Sequence, residues 1–117
     1  MIPGLSFLEL TVADWPAALA WYTTQFGLEV VLRVDADQFA LLQAGQGRIA
    51  LRAGRPQPGT VLLAFEVDDL PRELDRLAAA GIRPAAPLKG SAEGYRRAIV
   101  QDPDGYRLCL FDWRGRP

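Results

Sequence analysis

The side chains that could do chemistry in this sequence are one cysteine and a few carboxylates and arginines, because the chain contains no histidine. The missing histidine removes the commonest metal ligand and the commonest general base near neutral pH. Cys109 lies in the stretch QDPDGYRLCLFD, between two leucines. A thiol becomes a nucleophile when a base or a positive charge lowers its pKa, and Arg107 on the same strand face offers only the charge. We favour the other interpretation, in which Cys109 is a small, buried, apolar side chain.

The composition indicates one compact domain with little electrostatic bias. The 117 residues are 50% hydrophobic, which is enough for a core, and 13 basic residues nearly balance 14 acidic ones. Without a basic tract, nucleic-acid binding has little support. A single cysteine cannot form an intramolecular disulfide, and no apolar run approaches the ~20 residues that span a bilayer. We therefore expect a soluble cytoplasmic protein with no nucleic-acid or membrane partner.

The elements that would position these side chains occur twice, because the sequence repeats itself after 55 positions. In both copies apolar residues alternate as a half-buried strand requires, and an acidic residue follows where a helix N-cap belongs. A proline, Pro16 or Pro71, comes two residues after each cap, and each helical segment ends at a glycine, Gly27 or Gly81. The matched pairs are Leu8/Leu63, Leu10/Phe65, Val12/Val67 and Asp14/Asp69.

Further extended segments follow each helix, so both halves have the order strand–helix–strand–strand–strand. The repeat predicts a single domain, 1–117, with module one at about 4–53, a linker at 54–60 and module two at about 61–113. The predicted segments are Leu28–Val34, Phe39–Gln43 and Arg48–Arg52 in the first half, with Ala44–Gly47 as a hairpin turn, and Ile82–Leu88, Tyr95–Val100 and Tyr106–Phe111 in the second.

Four stretches occur in an order and spacing that resemble a known family: LELTVAD, WYTTQFGLEV, LAFEVDDL and DPDGYRLCLF. They are similar to the vicinal oxygen chelate superfamily, which includes glyoxalase I, extradiol dioxygenases and bleomycin-resistance proteins. The resemblance covers nearly the whole chain. It implies an α+β fold in which two βαβββ modules form curled sheets around a cleft, often across a dimer interface, and we therefore expect a homodimer.

The resemblance also implies where a metal would bind. Metal-dependent members place four ligands in the cleft, usually His, Glu or Gln. The matching positions in this sequence are Phe7, Ala50, Leu62 and Cys109. A divalent cation needs several donor atoms that point inward, and one thiol cannot hold it alone. We therefore expect no metal and no other cofactor.

Strand alternation predicts which side chains face the cleft. The set is largely apolar with a few charged groups, a composition that suits a small organic ligand. An alternative without a ligand is that Glu9 pairs with Arg52, or Glu66 with Arg107, as cross-strand ion pairs. The loop 89–94 could act as a lid. The predicted ligand-binding residues are Phe7, Glu9, Arg48, Ala50, Arg52, Leu62, Glu66, Tyr95, Arg107, Cys109 and Phe111.

The resemblance leaves three hypotheses for the function. The first is a metal-independent binding protein of the glyoxalase/bleomycin-resistance type that sequesters a small hydrophobic or aromatic compound. The second is an enzyme of the superfamily, such as a lyase, an isomerase or a dioxygenase-like enzyme, that uses carboxylates or Cys109. The third is a catalytically inactive structural or regulatory subunit. We favour the first hypothesis, because it needs no catalytic groups.

Overall fold

The computed structural model describes residues 1–59, 61–90 and 94–113. Contacts between Cα atoms divide the chain into two units, Met1–Gln57 and Pro58–Pro117. Each unit has one four-stranded mixed sheet and one α-helix, in the order β-α-β-β-β. The fold class is therefore α+β with two βαβββ modules, as the resemblance implied.

The first unit builds its sheet in the order β1-β4-β3-β2, with β1 parallel to β4 and the other pairs antiparallel. The hairpin between β3 and β4 turns at Gly45 and Gln46, and Gly45 has a φ of 58°, which suits a tight two-residue turn. The elements are β1 (Leu8–Val12), α1 (Trp15–Gln25), β2 (Glu29–Val34), β3 (Phe39–Ala44) and β4 (Gly47–Ala53).

The second unit repeats this topology, with strand order β5-β8-β7-β6 and β5 parallel to β8. The strand β6 starts four residues later than the predicted Ile82, at Ala86. The reason is that the Ile82 N–H donates to the Leu77 carbonyl at 2.9 Å and so still belongs to the end of the helix. The elements are β5 (Leu62–Glu66), α2 (Leu70–Ala79), β6 (Ala86–Gly90), β7 (Tyr95–Gln101) and β8 (Arg107–Trp113).

Both helices begin as the repeat predicted. The carboxylate of Asp14 accepts a hydrogen bond from the Ala17 N–H at 3.1 Å, and that of Asp69 accepts one from the Arg72 N–H at 3.2 Å. Each satisfies a backbone donor that has no partner inside the helix. The repeated acidic residue is therefore a confirmed N-cap in both units.

The core of the first unit lies between α1 and one face of its sheet. Trp15 is 3% exposed, and its Nε1–H donates to the Leu51 carbonyl of β4 at 3.1 Å. Tyr22 is fully buried and contacts the rings of Trp21 and Phe26. The Trp15 hydrogen bond joins the start of α1 to the sheet, and the Tyr22 contacts hold the aromatic rings at its end together. On the α1 side of the sheet the buried residues are Leu10, Val12, Ala40, Leu42, Ile49 and Leu51, although the neighbouring Leu8 is 40% exposed.

The core of the second unit contains a charged pair that the sequence pattern did not indicate. Asp112, at the end of β8, is 2% exposed. Its Oδ2 accepts a hydrogen bond from the Leu70 N–H at the start of α2, at 2.7 Å. Arg96 on β7 donates to both carboxylate oxygens, at 2.8 and 2.5 Å. The pair thus joins the helix to the two central strands, among the buried residues Leu63, Leu77, Ala98, Val100, Leu108 and Leu110.

Within the described residues, no helix has both the length and the apolar character needed to cross a membrane.

Candidate functional site

In the first unit, the candidate site is the sheet face that points away from α1; we call it the Glu9 face. Side chains alternate along each strand, so this face receives the residues between the buried ones. Register places Glu9 beside Ala50, and Arg52 between Thr11 and Phe39. The Glu9 face consists of Glu9 and Thr11 on β1, Phe39 and Leu41 on β3, and Arg48, Ala50 and Arg52 on β4, with Phe7 directly before β1.

The charged groups of the Glu9 face are held by neighbours. The Arg52 Nε donates to Glu9 Oε1 at 3.1 Å, so the predicted cross-strand ion pair is confirmed. The same guanidinium lies 4.6 Å from the ring centroid of Phe39, which in turn meets the edge of Phe7 at 6.4 Å.

The other two predicted residues of this face have different surroundings. The Arg48 Nε donates to Gln43 Oε1 at 2.5 Å, across the β3–β4 hairpin. Ala50 is fully buried, although it lies on the side of the sheet opposite α1. It therefore belongs to the floor of the Glu9 face and offers a ligand little surface.

In the second unit, the corresponding surface points away from α2; we call it the Arg97 face. One cross-strand row consists of Glu66, Phe111, Arg97 and Lys89, on β5, β8, β7 and β6 in turn. The next row consists of Ala64, Cys109 and Ile99, and beyond it lie Leu62 and Arg107. Tyr95 and Trp113 pair at the opposite end of the face.

Three aromatic rings form a cluster at that end. Tyr95 lies 5.9 Å from Phe111 and 5.6 Å from Trp113, and Phe111 lies 6.0 Å from Trp113, all edge to face. All three side chains are half-buried, so each keeps part of its surface exposed. Trp113, whose position the sequence did not settle, thus belongs to the Arg97 face.

The predicted pairing of Glu66 with Arg107 is wrong. Register places Glu66 beside Phe111 and Arg107 beside Leu62, at opposite ends of β5. Residues four positions apart along a strand are separated by about 13 Å, and the two side chains form no ion pair with each other in the described part of the chain. The sequence could indicate that both residues share a face, but it could not give the parallel register that separates them.

Cys109 is buried, as we expected from its flanking leucines, with 3% of its surface exposed. Burial raises the pKa of the thiol, and the charge of Arg97 and a hydrogen bond from its guanidinium only partly oppose this effect. The arginine that acts on the thiol is therefore Arg97 and not Arg107. A thiol that stays protonated near neutral pH is a poor nucleophile.

We predict that Cys109 reacts slowly with a thiol reagent in the folded protein. The native chain at pH 8 should be labelled by dithionitrobenzoate about tenfold or more slowly than the same chain in urea, because the reagent must wait for local opening. The chain in urea serves as the matched control, since only the environment of Cys109 differs. Equal rates in the two conditions would show an exposed, activated thiol and would contradict the assignment.

The residues that the resemblance assigns to the metal positions do not have the chemistry of a metal site. Phe7, Ala50 and Leu62 carry no donor atom, and the fourth position is the buried Cys109 thiol. Across residues 1–59, 61–90 and 94–113, no three His, Cys, Asp or Glu side chains are grouped so that they could hold a metal.

Sequence reasoning missed Arg97 and Phe39, which the structure places on the Arg97 face and the Glu9 face beside predicted residues. The alternation that indicated Tyr95 also indicates Arg97, two residues later on the same strand. Of the predicted lid, residues 91–93 lie outside the described part of the chain, whereas Lys89 and Gly90 belong to β6.

Comparison with known proteins agrees with this architecture. The sequence profile of the Glyoxalase/Bleomycin resistance protein/Dioxygenase superfamily matches residues 4–110, so the chain belongs to that superfamily, as its motifs indicated. No curated protein matches the sequence.

Solved structures with the same fold come from several bacteria. A glyoxalase/bleomycin resistance protein/dioxygenase from Nocardioides is 25% identical, with a TM-score of 0.74 over 100% of this chain and 89% of that one. TioX from Micromonospora sp. ML1 is 25% identical, with a TM-score of 0.77 over 94% and 98% of the two chains. The fosfomycin resistance protein FosX from Listeria monocytogenes is 20% identical, with a TM-score of 0.80 over 96% and 94%, and this likeness concerns the fold alone.

Proposed function

We propose that this chain is a metal-independent binding protein of the glyoxalase/bleomycin-resistance type that holds a small hydrophobic or aromatic compound. The observation that carries the proposal is the chemistry of the two faces. Both faces combine apolar or aromatic side chains with a few charged groups, and the positions that the resemblance assigns to metal ligands carry Phe7, Ala50, Leu62 and Cys109. Surfaces of this composition bind small organic molecules by burial, while the polar groups orient the ligand.

The enzymatic alternative has less support. Glu9, one of its candidate bases, is engaged by Arg52, and Cys109 is a buried thiol with a raised pKa. The Cys109 thiol is therefore a poor nucleophile at neutral pH, and Glu9 already has an ion-pair partner. The third hypothesis, an inactive structural or regulatory subunit, differs from the binder only in having no ligand.

A thermal-shift screen tests the proposal. A ligand that binds only the native state raises the unfolding midpoint, by an amount equivalent to about 2.7 kcal/mol at 100 times its Kd. The panel should contain aromatic and glycopeptide compounds, each measured with metal-depleted protein and again after addition of zinc, nickel, iron or manganese. A shift that needs no metal supports the binder. A shift that requires the metal would contradict metal independence, and no shift with any compound would favour the inactive subunit.

We also propose a homodimer in the cytoplasm, on the family resemblance and on the exposed edges of the two sheets. The edge strand β2 exposes Val30, Val31 and Leu32, at 44%, 46% and 50% of their surfaces. Apolar edges of this kind favour association with another chain. Light scattering at micromolar concentration should give twice the mass of one chain, and a monomer would count against the proposal.

A further inference from the structure

The Arg97 face places two cations side by side without a carboxylate between them. Arg97 on β7 and Lys89 on β6 are direct cross-strand partners in the antiparallel register. Like charges in directly opposite positions repel each other and destabilise a sheet. Lys89 is exposed and Arg97 is half-buried, so both can be reached from solvent.

The nearest acidic residue of the face does not neutralise them. Glu66 lies in the same cross-strand row, but Phe111 stands between it and Arg97. Neighbouring strands are ~4.8 Å apart, so the backbones of Glu66 and Arg97 are about 10 Å apart. Within residues 1–59, 61–90 and 94–113, neither Arg97 nor Lys89 forms an ion pair with a carboxylate. By contrast, Arg52 of the Glu9 face has its own carboxylate partner.

Aromatic rings lie next to this pair of cations. Phe111 is the cross-strand neighbour of Arg97, and Tyr95 precedes Arg97 by two residues on the same face of β7. Both rings contact Trp113, so the cluster offers edges and faces to a further ring. A guanidinium can hold a carboxylate through two parallel hydrogen bonds, which also fixes the ligand's orientation.

We propose that the Arg97 face binds a small aromatic carboxylate, with the carboxylate between Arg97 and Lys89 and the ring against Phe111, Tyr95 and Trp113. The inference rests on the proposed binding function and deepens it, because it names the charge and the ring of the ligand. The carboxylate replaces the repulsion between the two cations by two attractive contacts. The Arg97 side chain is half-buried, and a guanidinium has five N–H donors, so Arg97 can donate two hydrogen bonds to the ligand.

Isothermal titration with a matched pair of probes tests the inference. The probes are 2-naphthoate and its neutral analogue 2-naphthamide, which share the ring and differ in charge. The naphthoate should bind about 10- to 100-fold more tightly, as expected for charge-assisted hydrogen bonds. Raising the ionic strength should reduce this preference, because salt screens exposed charges.

Substitutions test whether Arg97 and Lys89 bind the carboxylate of the probe. Arg97→Met and Lys89→Met should each reduce the preference for naphthoate by about tenfold, while leaving naphthamide binding nearly unchanged. Arg97→Lys should retain part of the preference, because lysine keeps the positive charge but cannot form the bidentate hydrogen bonds of a guanidinium. The matched control is Arg83→Met, which removes an exposed arginine of the same unit that lies outside the strands. Because Lys89 is exposed, its variant stays informative if Arg97→Met fails to fold.

The outcomes separate this inference from the proposed function. Equal binding of the two probes, or an unchanged preference in both Met variants, overturns the carboxylate site and leaves the binding function standing. Failure of both probes, when other compounds raise the unfolding midpoint, overturns the carboxylate site as well. If no compound of the screen stabilises the protein, the binding function itself fails and the inference falls with it.

Discussion

Replacing Asp112 with alanine is expected to destabilise the protein by about 2–3 kcal/mol, because the buried carboxylate accepts hydrogen bonds from both Arg96 and the Leu70 N–H. The side chain of Arg96 is 26% exposed, so removal of the carboxylate leaves its guanidinium partly desolvated and without its main partner. The N–H of Leu70 loses its acceptor at the same time. Since Leu70 begins α2, the change also loosens the helix from β8.

Urea unfolding followed by circular dichroism measures this loss. The second variant is Arg96→Met in the Asp112→Ala chain, which should recover part of the stability because it removes the unpaired charge while the Leu70 N–H stays unsatisfied. The matched control is Asp75→Ala, an exposed carboxylate on α2, for which we expect a change within about 0.5 kcal/mol. A loss below about 1 kcal/mol for Asp112→Ala would contradict the buried position of the pair.

Replacing Trp15 with alanine should cost about 3–5 kcal/mol, the range for removing a large aromatic side chain from a core. Trp15 is 3% exposed and lies at the first position of α1, against β4. Its ring also lies 5.4 Å from the Arg33 guanidinium. The substitution leaves a cavity between helix and sheet and removes the hydrogen bond to the Leu51 carbonyl.

Trp15→Phe separates packing from hydrogen bonding. It keeps an aromatic ring but removes the N–H donor, so we expect a smaller loss of about 1–2 kcal/mol. Circular dichroism is the suitable signal, since the substitution changes the tryptophan fluorescence itself. Trp21→Phe, at a half-buried position on the same helix, is the control and should cost less than Trp15→Phe. Equal losses for Trp15→Phe and Trp15→Ala would show that the hydrogen bond, and not packing, dominates.

Trp15 and Asp112 show that the two modules attach their helices to the sheet in different ways. The internal repeat matches Trp15 with Leu70, the first residues of α1 and α2. In the first unit the side chain of Trp15 donates to the backbone of β4. In the second unit the backbone of Leu70 donates to the Asp112 side chain on β8. Strand register gives Ala53 the position in β4 that Asp112 has in β8, so the charged pair has no counterpart there.

The alternation of side chains along the strands predicted which residues share a face of each sheet, but not which of them are neighbours. Alternation assigned Glu9 and Arg52 to one face, and their ion pair follows from short-range geometry between adjacent strands. The same rule assigned Glu66 and Arg107 to a common face but could not tell that they lie at its opposite ends. It also applied to Arg97, whose importance depends on a neighbour, Lys89, on another strand.

Local sequence patterns were enough to predict the architecture of this protein: the repeated strand–cap–proline–helix unit, the alternating strands and the superfamily. These features are local, because caps, turns and alternation depend on residues a few positions apart. Which side chains become neighbours depends on the packing of the whole unit, as for Asp112 with Leu70 and Arg96, and for Arg97 beside Lys89. Such contacts depend on strand register and helix placement, which are set by packing over the whole unit and by no short stretch of residues.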